Sequence, residues 1–184
     1  MCVCQPSIGH DKPLARQWRS LDEDIRGLDR EILAQARKCA VARRLMEIPG
    51  IGAVTAHAVI AAIGDGRQFK SARDFAAWMG LTRKSSDTGG KARLTGPISK
   101  AGDRGLRRLF VLGASSWLRR VRSEPAKGSA WVNGVLARRP VKVATVAQAA
   151  KTARIVWAVL TSGQDYRDPA KARVQARVQA QAAA

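Results

Sequence analysis

The chain has 184 residues, enough for one domain of ordinary core or one domain with an arm. Its 33 Lys and Arg against 14 Asp and Glu leave a formal net charge of +19, which points to a polyanionic partner: nucleic acid first, an anionic membrane surface second. No apolar run approaches the length of a membrane span and no apolar signal core opens the chain, so a cytoplasmic protein without a membrane partner is expected.

Residues 1–13 mix Pro, Ser, Gly and His and read as a disordered start. Cys2, Cys4 and Cys39 have no framework spacing and read as reduced thiols; Cys2-x-Cys4 with His10 lacks a fourth metal ligand. From Leu14 the apolar positions Leu14, Trp18, Leu21, Ile25, Leu28 and Ile32 alternate in steps of four and three. That is a heptad seam, expected to pair with another helix and to make the protein a homo-oligomer. Asp22, Glu23, Asp24, Asp29 and Glu31 fall between the seam positions beside Arg19, Arg26 and Arg30, as on a solvated coiled-coil face. The helix is expected to run on to Arg43 and Arg44, making residues 14–46 a coiled-coil-like arm.

Ile48-Pro49-Gly50-Ile51-Gly52 then forms a turn. Pro49 cannot continue a helix and biases Ile48 away from helical backbone, whereas Gly50 and Gly52 allow positive φ and close backbone approach. A second helix should start near Ala53 with Val54, Ala58 and Ile63 inward. The result would be a helix-hairpin-helix in which the amides of Gly50, Gly52 and Ala53 offer an anion site for a nucleic-acid phosphate. Phe69, Ala72, Phe75, Ala76 and Met79 predict a short core helix capped by Ser71.

Thr82 to Gly102 is the least regular stretch, with five basic residues, four glycines and six hydroxyl side chains. It reads as a long Gly-rich basic loop, and hydroxyls, backbone amides and Lys/Arg together suit contact with a phosphodiester. Asp103 should cap the next helix. Its inward face would carry Leu106, Phe110, Gly113, Trp117 and Val121, with Arg104 and Arg108 on another face and Arg107 beside it. Arg119, Arg120 and Arg122 would extend the basic surface past the helix end, and Pro125 to Gly128 would be a loop. A short helix holds Trp131, Val135 and Leu136 and is closed by Arg138-Arg139-Pro140. A last helix over about Val143 to Leu160 turns Val146, Ala150, Ala153, Trp157 and Leu160 inward. Trp117, Trp131 and Trp157 read as core anchors. The domain, residues 47–167, is therefore expected to be mainly α, followed by a basic Ala/Gln-rich tail over 168–184.

The ordered set Ile48-Pro49-Gly50-Ile51-Gly52, Phe69-Lys70-Ser71-Ala72-Arg73, Trp78-Met79-Gly80-Leu81-Thr82, Thr88-Gly89-Gly90-Lys91, Ile98-Ser99-Lys100-Ala101-Gly102-Asp103 and Arg107-Arg108-Leu109 resembles the C-terminal half of DEDD-type insertion-sequence transposases. These are the bridge-RNA-guided DNA recombinases of bacterial mobile elements. The stretch Lys151 to Trp157 and Asp165-Tyr166-Arg167 look like the family's ending as well.

The resemblance implies a serine nucleophile from the Gly-rich loop, which forms a covalent phosphoserine link to DNA. It also implies a separate RuvC-like domain whose four carboxylates hold a divalent metal such as Mg²⁺. Nothing before Leu14 could supply that domain, so the chain reads as a C-terminal fragment with no cofactor of its own and an inactive nucleophile site. Family members carry Ser-Ser or Ser-Thr before Gly-Gly-Lys, where this chain has Asp87-Thr88; an extra residue also falls around Thr95 to Pro97. Ser86 or Thr88 is nearest the nucleophile position. Lys84, Gly89, Gly90, Lys91, Arg93, Ser99 and Lys100 would line the strand path, flanked by Arg104, Arg107 and Arg108. DNA and a guide RNA are the implied partners, in the bacterial cytoplasm at the nucleoid. The alternatives are a non-enzymatic helix-hairpin-helix DNA-binding module and a dimeric interaction protein whose basic surface is incidental.

Overall fold

A computed structural model describes residues 11–88 and 91–167, without the side chains of residues 11–12 and 84–95. The elements in order are α1 (Asp11–Lys38), α2 (Ala40–Met46), α3 (Ala53–Ile63), α4 (Ala72–Trp78), β1 (Arg83–Thr88), β2 (Lys91–Ile98), α5 (Arg104–Ser123), α6 (Ala130–Arg138) and α7 (Val141–Ser162). The fold is mainly α, as the periodicity predicts.

Helix boundaries follow local chemistry where a short polar side chain stands at the start. Ser71 accepts a hydrogen bond from the Asp74 amide, Asp103 from the Leu106 amide at 2.8 Å, and Ser129 from the Val132 amide. The arm departs from expectation. Cys39 adopts extended backbone (φ −84°, ψ 116°), so the helix breaks into α1 and α2 instead of running through to Arg44. Along α1 the seam residues Leu14, Trp18, Leu21, Ile25 and Leu28 are each more than half exposed, and the first residue of this helix to be buried is Ala36.

α7 is the central helix of the core and packs on α2, α4, α5 and α6. It is long and apolar enough to cross a membrane by length and composition, unlike the expectation that no apolar run approaches that length, yet one face of it is buried within the fold. That face also differs from the expected one. The buried line is Ala144, Thr145, Gln148, Ala149, Thr152, Ala153, Val156 and Val159, while Val146, Ala150, Trp157 and Leu160 are only half-buried. Three polar residues inside the buried line disguised it. Thr145 satisfies its hydroxyl within the helix, donating to the Val141 carbonyl at 2.8 Å.

The main core joins Leu45, Ile48, Val59, Phe75, Met79, Phe110 and Val156, and a satellite cluster joins Leu118, Val121, Val132 and Ala144. Phe69, Phe75, Trp78 and Phe110 form a chain of tilted and stacked rings with centroids 5.2 to 6.5 Å apart. Trp157 sets its indole against this core and donates from Nε1 to the Gly66 carbonyl at 2.9 Å, and Trp117 packs on the satellite cluster. Trp131 is exposed and is not a core anchor, because its ring serves Lys151, whose Nζ lies 4.2 Å from the centroid.

The stretch read as a Gly-rich loop is instead largely an antiparallel ribbon. β1 pairs with β2 through Arg83↔Ile98, Ser85↔Leu94, Ser86↔Arg93, Asp87↔Ala92 and Thr88↔Lys91. Between the first two pairs β1 advances two residues and β2 four, an irregularity that falls at Thr95-Gly96-Pro97. Gly96 has φ +95° and Pro97 has no N–H, so neither continues a regular ladder.

Candidate nucleic-acid interface

Three neighbouring parts of the fold carry the residues singled out by the sequence. The first is the turn between α2 and α3. Gly50 takes φ +88° and its backbone packs directly on the backbone of Gly113 in α5. Gly50 therefore has a packing role in addition to the phosphate contact expected of its amide. Gly52 is the exposed N-cap of α3, with open space around its α-carbon and no side-chain cap bond. The Ala56 amide donates to the Gly52 carbonyl at 2.9 Å. The amides of Ala53, Val54 and Thr55 precede that bond and have no intrahelical acceptor, and no acidic residue stands in this first turn. Val54 faces outward at 46% exposure, not inward; Thr55, Ala56, Val59 and Ile63 are the buried residues of α3.

The second part is a clasp at the root of the ribbon. Gly80 (φ +70°) approaches the Ala101 backbone, and Gly102 (φ +76°) lies against the Trp78 carbonyl. A Cβ at either glycine would overlap the facing backbone. The Ser99 amide donates to the Thr82 carbonyl at 2.8 Å, and the Lys100 amide to the Gly80 carbonyl at 3.2 Å. Arg107 reaches across from α5, its Nη1 donating to the carbonyls of Met79 (3.0 Å) and Ala101 (2.9 Å). Arg107 is thus a clamp between two chain segments, a structural role that its expected place flanking the strand did not include. Both carbonyl contacts come from Nη1, and the residue is half-buried. Ser99 is half-buried and enters the clasp through its backbone. Lys100, Arg104 and Arg108 are exposed, and Lys100 holds the unusual φ of +56°.

The third part is the ribbon itself. Its register sets Ser86 opposite Arg93 and Thr88 opposite Lys91. By the two-residue period of a strand, these four positions fall on one face of the ribbon. Lys84 lies in β1 near the irregularity; Gly89 and Gly90 lie outside the described residues. Arg119, Arg120 and Arg122 are exposed within α5, which runs to Ser123, not beyond its end as expected.

Sequence reading missed a further basic group at the ribbon's root. Arg83, Arg138 and Arg139 line one concavity, and Arg83 and Lys142 another. The signal was the helix-closing Arg138-Arg139-Pro140, read only as punctuation. Among the residues whose side chains are described, acidic groups pair with Arg26, Arg44, Arg67 and Lys127, and not with Arg83, Lys100, Arg104, Arg108, Arg138, Arg139 or Lys142. No group of three or more His, Cys, Asp or Glu that could hold a metal ion occurs among the described residues.

Residues 42–129, which span this turn, clasp and ribbon, match the family model described as Transposase IS116/IS110/IS902 family. The resemblance carried by the six motifs is thereby supported at the level of that family's C-terminal transposase domain. Among similar proteins, y4pF/y4sB of Sinorhizobium fredii is 44% identical over 153 residues, 83% of this chain and 39% of its own length. A Pseudomonas aeruginosa relative is 43% identical over 156 residues, covering 85% of this chain and 46% of its own. The transposase for insertion sequence element IS1328 of Yersinia enterocolitica is 41% identical over 150 residues, 82% of this chain and 45% of its length. The chain thus spans under half the length of these relatives.

Proposed function

We propose that this chain is the DNA-handling C-terminal domain of a DEDD-type, RNA-guided insertion-sequence transposase. The observation that carries the reading is the coincidence, within the matched residues 42–129, of an uncapped helix N-terminus, a ribbon bearing hydroxyl and basic positions on one face, and unpaired cations around it. Phosphates of DNA, and of a guide RNA, bind the amides of Ala53 and Val54 and the side chains of Lys84, Lys91, Arg93, Lys100, Arg104 and Arg108.

In this reading Ser86 or Thr88 stands nearest the position of the nucleophile. In a complete transposase a hydroxyl at that position would attack a phosphodiester: a Ser/Thr O–P bond would form, the P–O bond to the strand's leaving oxygen would break, and the hydroxyl proton would pass through solvent to that oxygen. The cations opposite, Arg93 and Lys91, stabilise the charge that develops on the phosphoryl oxygens. A RuvC-like half would hold Mg²⁺ on its own carboxylates, and the part proposed for this chain is to bind and orient the strand. The exposed α1 seam pairs with the same seam of a second copy.

Binding of duplex DNA and structured RNA across a salt series tests the reading. Replacing Lys91 and Arg93 with Ala should weaken binding to every sequence and flatten the log–log salt slope by roughly one to two. An unchanged slope overturns the ribbon's assignment.

A further inference from the structure

Beside the turn, on the side of α7, lies a cavity of about 500 Å³, within the size range of ligand sites. Its walls are apolar where Ile48, Trp117, Val132 and Val159 line it. Polar side chains such as Lys127, Ser129, Gln164 and Arg167 share the lining, and two further polar groups bear on what it holds. Gln148 is only 6% exposed; its Nε2 donates to Thr152 Oγ1 at 3.1 Å, and its Oε1 has no hydrogen-bond partner. The Thr152 hydroxyl can serve one end of the amide only. Turning the amide over merely exchanges an orphaned acceptor for an orphaned donor. Buried polar groups in folded proteins are almost always paired, so this one points to a partner that the described residues do not supply.

The second group is Lys151. Its ammonium lies over the Trp131 ring with no carboxylate bonded to it, and burial pushes its pKa below the ordinary lysine value. Among the described residues the one carboxylate lining the cavity, Asp165, faces Arg44 at 4.0 Å. Ile48 and Pro49, which line the cavity, open the turn that ends in the uncapped N-terminus of α3.

We infer that this cavity takes a single unpaired nucleotide of a nucleic-acid strand, with the base edge hydrogen-bonded to the Gln148 amide and the phosphate at Lys151. An apolar ligand would leave both polar groups unanswered, and a bare anion would leave the apolar walls unused. A nucleotide answers all three: a flat apolar body, an edge of donors and acceptors, and an anion. The inference rests on the nucleic-acid reading above and adds a site outside the ribbon.

The test compares the full chain's affinity for a fully paired duplex and for the same duplex carrying one unpaired 2-aminopurine. Affinity for the second should be about tenfold higher, with 2-aminopurine fluorescence quenched, because base stacking on a protein is worth that much. The excess should vanish in Gln148→Leu, which keeps the volume but not the amide, and in Ile155→Trp, which fills the cavity; circular dichroism verifies the fold of both. Equal affinity for the two duplexes, or an excess that survives Gln148→Leu in a folded protein, overturns the site alone. Loss of the excess to equimolar adenosine monophosphate assigns the cavity to a free nucleotide and overturns the strand assignment. If neither duplex binds, the nucleic-acid reading fails and this site with it.

Discussion

Gly50 and Gly113 meet backbone to backbone. A Cβ on Gly50 would lie 2.9 Å from the Gly113 carbonyl oxygen, and one on Gly113 would overlap the Gly50 carbonyl. The pair docks the turn between α2 and α3 onto α5, so two glycines far apart in sequence form one joint. Gly52, two residues on, has open space instead. The two glycines of the turn therefore divide the work: one packs, the other leaves a helix end accessible.

Gly113→Ala should therefore destabilise the fold by about 1–3 kcal/mol, the range for overpacking a fitted contact. Gly52→Ala should cost less than about 1 kcal/mol, since only the N-cap preference changes. Urea unfolding of both variants checks the contrast. Equal losses would mean that the joint yields easily and that Gly113 has no special place.

Arg107, Arg104 and Arg108 should separate in the same way. Arg107 donates to the Met79 and Ala101 carbonyls and holds the clasp. Arg107→Ala should lower stability by about 2 kcal/mol, because hydrogen bonds from a charged group are lost, and should leave the salt slope of DNA binding unchanged. Arg104→Ala and Arg108→Ala should leave stability within about 0.5 kcal/mol and reduce the slope by about one each. A slope change for Arg107→Ala without loss of stability would return that residue to the strand path.

The Arg107 case shows where sequence was and was not enough. Ser71 and Asp103 were legible because a helix cap is a local event, settled by one side chain and an amide three residues on. Arg107 was not, because its acceptors are main-chain carbonyls and one of them lies 28 residues away. The ribbon was hidden for a different reason. Ser85, Ser86, Asp87 and Thr88 carry no apolar alternation, so only pairing with β2 makes them a strand. The burial of Gln148 was not legible, since a glutamine in a run of alanines looks like surface, and Lys151 was legible only as part of a family motif. The basic character, the turn and the family motifs were legible because each is a statement about residue types in order.

The seam of α1 carries the next prediction. Leu14, Trp18, Leu21, Ile25 and Leu28 expose an apolar stripe that no other part of the described residues covers. Sedimentation should find an oligomer, and Leu21→Asp with Leu28→Asp should give a monomer that keeps its helical signal and cooperative unfolding. A wild-type monomer would sink the pairing of arms.

The pH dependence of stability tests the surroundings of Lys151. Burial is the larger cause of its lowered pKa, and the neighbouring Arg154 charge is the second. Below the folded-state value Lys151 is charged in both states, and the folded protein carries the full cost of holding that charge. Between the folded value and the ordinary 10.5, the unfolded chain binds more proton than the folded one, so stability rises with pH through that window. Lys151→Met removes the group and with it this dependence. The stability of the wild type relative to Lys151→Met should therefore increase as pH is raised toward 10.5, measured by urea unfolding at several alkaline pH values. A flat or falling difference would mean that the ammonium is as well solvated in the fold as in the open chain. In that case the cavity rim would hold no desolvated cation for a phosphate to meet.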